Sequence, residues 1–185
     1  MIFKSPHPDV TIPDISLTAL VLARAQELGD KPALIDGPTG RTLTYGQLAA
    51  AVGKVAASLA QRGFRKGDVF AICSPNLPEY AVAFHAIASL GGIITTVNPL
   101  YTTAELAHQF EDAGAKYLLT APPFLNKVQE AAAKTGVQEI FVFGEAEGAT
   151  PFETLLIGSG QPPEILINPR QDLVALPYSG GTTGP

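Results

Sequence analysis

The 185-residue sequence predicts an α/β fold, a parallel sheet flanked by helices. Three observations predict it. Short apolar runs alternate along the chain with stretches whose apolar residues recur at helical spacing. Those runs are apolar at nearly every position, the pattern of strands covered on both faces rather than of a half-solvated sheet. Capping residues and Gly or Pro stops bound each helical stretch.

The elements follow in order. After a Pro-rich start, a helix is expected from Ser16, with Leu17, Leu20, Val21 and Leu28 on its inner face, closed by Gly29 and Pro32. Ala33–Asp36 and Arg41–Thr44 read as a hairpin around Gly37-Pro38-Thr39-Gly40, a loop of turn-forming residues. Leu48, Val52, Val55 and Leu59 then share one helix face, with Thr44 and Gln47 as a capping box and Gly63 as the stop. Val69–Cys73 is a continuous apolar strand. Asn76, Pro78 and Glu79 open the next helix, with Asn76 as cap, and Gly91-Gly92 end it.

The cycle repeats. Ile93–Val97 is a strand, and Thr102 with Glu105 caps a helix that turns Leu106, Phe110 and Ala113 inward and stops at Gly114. Tyr117–Thr120 is a strand, Pro122 or Pro123 starts a helix carrying Leu125 and Val128, and Glu139–Phe143 is a strand. Residues 144–170 form a Gly/Pro-rich excursion with one helical turn near Phe152–Leu156, and Leu173–Tyr178 is the last strand.

Composition narrows the function. The sequence is 46% hydrophobic and 16% charged, which suits a buried core and argues against disorder. Net charge is −5 and the longest basic run is Arg65-Lys66, so a nucleic-acid face is set aside. The single cysteine, Cys73, lies in an apolar run and is expected to be buried and inert. No signal-peptide pattern opens the sequence and no apolar stretch approaches a membrane span, so a cytoplasmic protein without a transmembrane segment is expected. His7, His85 and His108 are scattered and offer no metal site, His85 reading as a packed side chain and His108, beside Ala107 and Gln109, as part of an outer face. Asp68 shapes a turn, Glu111-Asp112 reads as a solvated face, and Tyr101 as a packing residue at a strand end.

Only the end of the sequence has a recognisable chemical design. Leu176-Pro177-Tyr178-Ser179-Gly180-Gly181-Thr182-Thr183-Gly184-Pro185 follows an apolar strand. Its glycines let main-chain N–H groups approach a ligand, and Ser179, Thr182 and Thr183 add hydroxyl donors, as phosphate oxygens require. A plain surface turn uses the same residues, so the segment alone leaves both readings open. It lacks the GxxxxGK[ST] of a P-loop, and no GxGxxG follows the first strand, which disfavours a generic dinucleotide-binding domain.

Tyr178–Pro185 resembles the YSSGTTGxPKG loop of the adenylate-forming (AMP-binding) enzymes. Three further pieces agree in the family's order. Leu43-Thr44-Tyr45-Gly46-Gln47-Leu48 resembles an early TY.EL, and Asn76-Leu77-Pro78-Glu79-Tyr80 is similar to the family's N-x-x-E-[YF]. Leu90-Gly91-Gly92, with Val97-Asn98-Pro99-Leu100-Tyr101-Thr102 and Glu105, resembles the GA…NP.YT..E region of coumarate–CoA ligases. Gly180 departs from the pattern, standing where a second serine is usual, and the loop's lysine does not appear.

The resemblance implies that residues 1–185 are the N-terminal part of an adenylation domain, the first part of the large N-terminal domain of an acyl-CoA synthetase, cut within its phosphate loop. A second N-terminal subdomain and a mobile C-terminal domain would be absent. It implies a ligase that converts a carboxylic acid, ATP and CoA to acyl-CoA, AMP and pyrophosphate with Mg2+. Ser179, Gly180, Gly181, Thr182, Thr183 and Gly184 would hold the ATP phosphates, Thr182 or Thr183 approaching the metal. The catalytic residues would lie downstream, so this chain alone is expected to be inactive and to self-associate through surface the whole enzyme covers. The alternative is a stand-alone α/β binding or interaction module without catalysis.

Overall fold

The structure, a computed structural model, describes residues 5–8 and 10–178. Its first helix, α1 (Leu17–Leu22), starts where expected, with Ser16 Oγ accepting from Ala19 N. The inward face differs from the expectation. Leu17, Leu20 and Val21 are 41%, 49% and 43% exposed, while Thr18 and Ala25 are buried. The reason is a polar anchor: Thr18 Oγ1 donates to the His85 carbonyl at 3.2 Å and lies 3.2 Å from His85 Nδ1, so the helix turns its threonine inward. His85 is thus a satisfied packing residue, its pKa lowered by burial.

Strands β1 (Pro32–Ile35) and β2 (Thr42–Thr44) pair antiparallel as the expected hairpin. Helix α2 (Tyr45–Gln61) opens on the Thr44–Gln47 capping box and ends before Gly63, whose φ of 98° only glycine adopts readily. Strand β3 (Val69–Cys73) is buried along its whole length. In helix α3 (Pro78–Ser89), Leu77 rather than Asn76 occupies the cap, without a side-chain hydrogen bond. Asn76 is exposed, and Pro78 starts the helix, its missing N–H leaving one less donor to cap.

Strand β4 (Ile93–Thr96), helix α4 (Thr103–Asp112), strand β5 (Ala115–Thr120), helix α5 (Leu125–Ala132) and strand β6 (Glu139–Val142) complete the alternation. A short strand β7 (Thr150–Pro151) and a 3-10 turn (Phe152–Leu155) lie inside the Gly/Pro-rich excursion. The main sheet has the order β4-β3-β5-β6-β7, parallel throughout, so the four expected parallel strands do share one sheet.

Helices cover both faces. Phe70 and Ile72 point to the face of α2 and α3, packing with Val55, Leu59, Val82 and Ile87. Val69, Ala71 and Cys73 point to the other, against Leu106, Phe110, Val128 and Ala131 of α4 and α5. Cys73 is wholly buried, and burial pushes its thiol up to about 11, so the inert reading holds. On the first face Phe70 stacks with Tyr117 and Phe141, each pair 6.0 Å between ring centroids. Phe64 closes this set, and the backbone of Gly92 runs directly beneath it. A Cβ there would sit 2.4 Å from Phe64 Cζ and 2.8 Å from Ile87 Cγ2, so the second glycine of Leu90-Gly91-Gly92 is required by packing.

The expected last strand, Leu173–Tyr178, is reduced to a single parallel bridge, Ala175 with Ile94. Ile94 N donates to the Val174 carbonyl and Leu176 N to the Ile94 carbonyl. The Leu176 carbonyl, which in a continued ladder would take the Thr96 N–H, accepts instead from Thr95 Oγ1 at 3.1 Å. A side chain thus ends the ladder, and this segment borders β4 at the sheet edge.

Candidate functional site at the carboxyl edge of the sheet

Helix α3, following β3, lies on one face of the sheet, and α4, following β4, on the other. Open α/β sheets take their ligands at the carboxyl ends of the strands, at the point where the strand order reverses, here between β3 and β5. The segment bonded to β4 runs parallel to it, so Tyr178, three residues beyond Ala175, reaches the level of Val97 at that edge. Ser179, Gly180, Gly181, Thr182, Thr183 and Gly184 follow in sequence and lie outside the described residues.

The edge itself is held by side chains. Val97 N donates to the Ile72 carbonyl, and Thr120 Oγ1 to the Cys73 carbonyl at 2.9 Å, tying β3 to its neighbours beyond their last ladder bonds. In the Asn98-Pro99-Leu100-Tyr101-Thr102 turn, Asn98 Oδ1 accepts from Leu100 N at 2.9 Å and Lys127 Nζ reaches the Pro99 carbonyl at 2.8 Å. Thr102 and Glu105 cap α4 reciprocally, and those hydrogen bonds hold the Glu105 carboxyl below the usual carboxylate range. The NP.YT..E piece is therefore a turn-and-cap in which Asn98, Thr102 and Glu105 each have a local side-chain partner.

Thr96, Val97, Asn98, Tyr101, Gln109 and Tyr178 line a cleft of about 350 Å³ at this edge. The Tyr178 hydroxyl donates to Asp112 Oδ2. Burial first, and the bond to the carboxylate second, push its pKa up to about 12, so it stays a donor. Asp112, read as part of a solvated face, is exposed but has this partner. Tyr101 packs as expected. His108 is exposed, but its neighbour Gln109 is 2% exposed, not part of an outer face. Helical spacing carried the signal: Leu106, Gln109, Phe110 and Ala113 form one stripe. Asp68 shapes its turn as expected, accepting from Arg65 N at 2.8 Å, and also pairs with Lys116.

A cavity of about 450 Å³ lies at the opposite end, beside Gly91 and Gly92 before β4. Its walls include Leu17, Leu20, Leu173 and Val174, with the Arg170–Asp14 ion pair among its lining. Apolar walls and exposed leucines suit a covered interface better than phosphate chemistry. Among the described residues no three His, Cys, Asp or Glu side chains gather to hold a metal ion, and no helix is long and apolar enough to cross a membrane.

Residues 21–185 match the family described as AMP-binding enzyme. The chain is 40% identical to a 4-coumarate–CoA ligase of Oryza sativa subsp. japonica over 185 residues, covering all of this chain and 33% of that protein. It is 37% identical to a 4-coumarate–CoA ligase of Petroselinum crispum, covering 34% of it. The fold superimposes on a long-chain-fatty-acid–CoA ligase from Archaeoglobus fulgidus with a TM-score of 0.87 and 26% identity, over 97% of this chain and 37% of that one. The chain thus spans about a third of the length of the curated relatives it matches.

Proposed function

The chain belongs to the AMP-binding enzyme family, and from that premise we propose that it forms the phosphate-binding side of an ATP-dependent carboxylate–CoA ligase. On this reading residues 1–185 are the N-terminal part of the adenylation domain, and a second subdomain and a mobile C-terminal domain complete the enzyme. The observation that carries the reading is the register of Ala175 on Ile94. It brings Tyr178 to the carboxyl edge, beside the outer strand β4, directly before the glycine-rich sequence.

The reaction has two steps. A carboxylate oxygen attacks the α-phosphorus of ATP, the bond to the β-phosphate bridging oxygen breaks, and pyrophosphate leaves. The CoA thiol then attacks the acyl carbon, losing its proton, and AMP leaves as the acyl–sulfur bond forms. The task assigned to this chain is electrostatic: the main-chain N–H groups of Gly180, Gly181 and Gly184 and the hydroxyls of Ser179, Thr182 and Thr183 hold the β- and γ-phosphates while charge moves onto pyrophosphate. Mg2+ would screen the phosphate charge, with Thr182 or Thr183 the residues that would approach it. Cytoplasmic location belongs to the same reading. Aryl acids such as 4-coumarate are the first substrates to test, because relatives at 37–40% identity are named for that acid.

The test is carboxylate-dependent exchange of labelled pyrophosphate into ATP. An enzyme of the relatives' length carrying this region is expected to catalyse it, and the 185-residue chain alone is not, since the remaining charge-stabilising groups of the site are assigned elsewhere. No exchange by the longer enzyme with any acid would favour the non-catalytic α/β module. Exchange by the 185-residue chain would place the machinery within it and refute the division of labour.

Self-association of this chain is part of the proposal. Leu17, Leu20 and Leu173, which is 57% exposed, line the large apolar cavity. Such a surface is expected to recruit a second copy when nothing else covers it. Sedimentation over a concentration series should show a mass that rises with concentration; a sharp monomer at the highest concentration would refute it.

A further inference from the structure

Helix α4 sends one polar residue into the core. Gln109 is 2% exposed, and its Nε2 donates to Thr95 Oγ1 at 2.9 Å and to the Thr96 carbonyl at 3.1 Å. The orientation of the amide follows from its partners. The Thr96 carbonyl is an acceptor only, so the nitrogen must face it. Thr95 is fully buried, and once its oxygen accepts from Gln109 its hydroxyl proton is directed to the Leu176 carbonyl, 3.1 Å away. The result is a one-way relay, amide to hydroxyl to carbonyl, from α4 through β4 to the segment that ends at Tyr178. Gln109 Oε1 is buried with no hydrogen-bond partner among the described residues, in a side chain that lines the cleft shared with Asn98, Tyr101 and Tyr178. A site evolved only for packing would place an apolar residue here, since an unpaired buried acceptor is unfavourable.

We propose that Gln109 is a positioning residue for the nucleotide-phosphate loop. Through Thr95 it fixes the height at which Leu176–Tyr178 enters the loop sequence. The role assigned to the loop rests on the ligase reading above; the relay itself does not.

Two variants and two readouts test it. In the 185-residue chain, Gln109→Leu keeps the size of the side chain and removes the amide. Amide hydrogen exchange at Leu176 is expected to accelerate about tenfold, the scale of one net hydrogen bond, while Phe70 in β3 and Leu118 in β5 keep their protection. In the longer enzyme the same change should raise KM for ATP about tenfold and leave kcat and KM for the acid within about twofold. Gln109→Glu should behave like Gln109→Leu at high pH and recover as pH falls, because a protonated carboxyl regains a donor for the relay.

Unchanged exchange at Leu176 overturns the relay. Exchange rising in step at Leu176, Phe70 and Leu118 reduces Gln109 to a packing residue. KM for ATP and for the acid rising together, or no recovery of the Glu variant at low pH, overturns the positioning role. If the longer enzyme shows no pyrophosphate exchange before any substitution, the ligase reading fails, and the hydrogen-exchange measurement still decides the relay.

Discussion

Phe70→Ala is expected to cost about 3–5 kcal/mol of folding stability, the range for removing a large buried aromatic side chain. Phe70 is 1% exposed at the centre of the sheet, stacked on Tyr117 of β5 and Phe141 of β6, with the Phe64 ring centroid 6.2 Å away. Its removal opens a void between three strands that β3, paired on both edges, cannot close by shifting. A domain of this size has about 5–15 kcal/mol in total, so the variant should lose much of its denaturation midpoint. The control is Ile35→Ala in the hairpin, 66% exposed, expected to stay within about 0.5 kcal/mol. Urea denaturation at constant slope measures both. A loss below about 1 kcal/mol for Phe70→Ala would mean that the aromatic set does not organise the core.

Thr183→Ala in the longer enzyme is expected to depress adenylation about 10- to 1000-fold, the range for losing a donor aimed at developing charge. The change removes one hydroxyl and leaves the three glycines in place. Pyrophosphate exchange, read at saturating ATP and at limiting ATP, separates lost transition-state stabilisation from lost binding. A drop confined to limiting ATP would assign Thr183 to uniform nucleotide binding, and an unchanged rate would make the glycine-rich sequence a plain turn.

The sheet was legible because each strand is bounded by local chemistry. Thr44 with Gln47 and Thr102 with Glu105 are capping boxes readable four residues at a time, and both form. The misreadings share another origin. Leu17, Leu20 and Val21 have helical spacing but face outward, because the Thr18–His85 hydrogen bonds, 67 positions apart, set the rotation of α1. The last strand fails as a ladder because Thr95 Oγ1 takes the Leu176 carbonyl, a competition no local pattern announces. Strand β7 has only two residues, too few for a periodicity. Of the candidate site, the Asn98–Glu105 turn-and-cap was readable, the glycine-rich sequence lies outside the described residues, and Gln109 was hidden by its polarity despite lying on the buried stripe.

The bridge between Ile94 and Ala175 carries a consequence for synthesis on the ribosome. Strands β3, β4 and β5 are all made by Thr120, so the centre of the sheet has its complete sequence early. The residues that border β4, by contrast, come late: 81 positions separate Thr95 from Leu176. At roughly 5–20 residues per second, translation needs on the order of 4–16 s to cover that distance. Throughout that interval the outer edge of β4 offers its main-chain groups to any passing strand. The nascent chain therefore carries an open β edge for seconds, and slower elongation between Thr95 and Leu176 should increase its capture by chaperones or by its own copies.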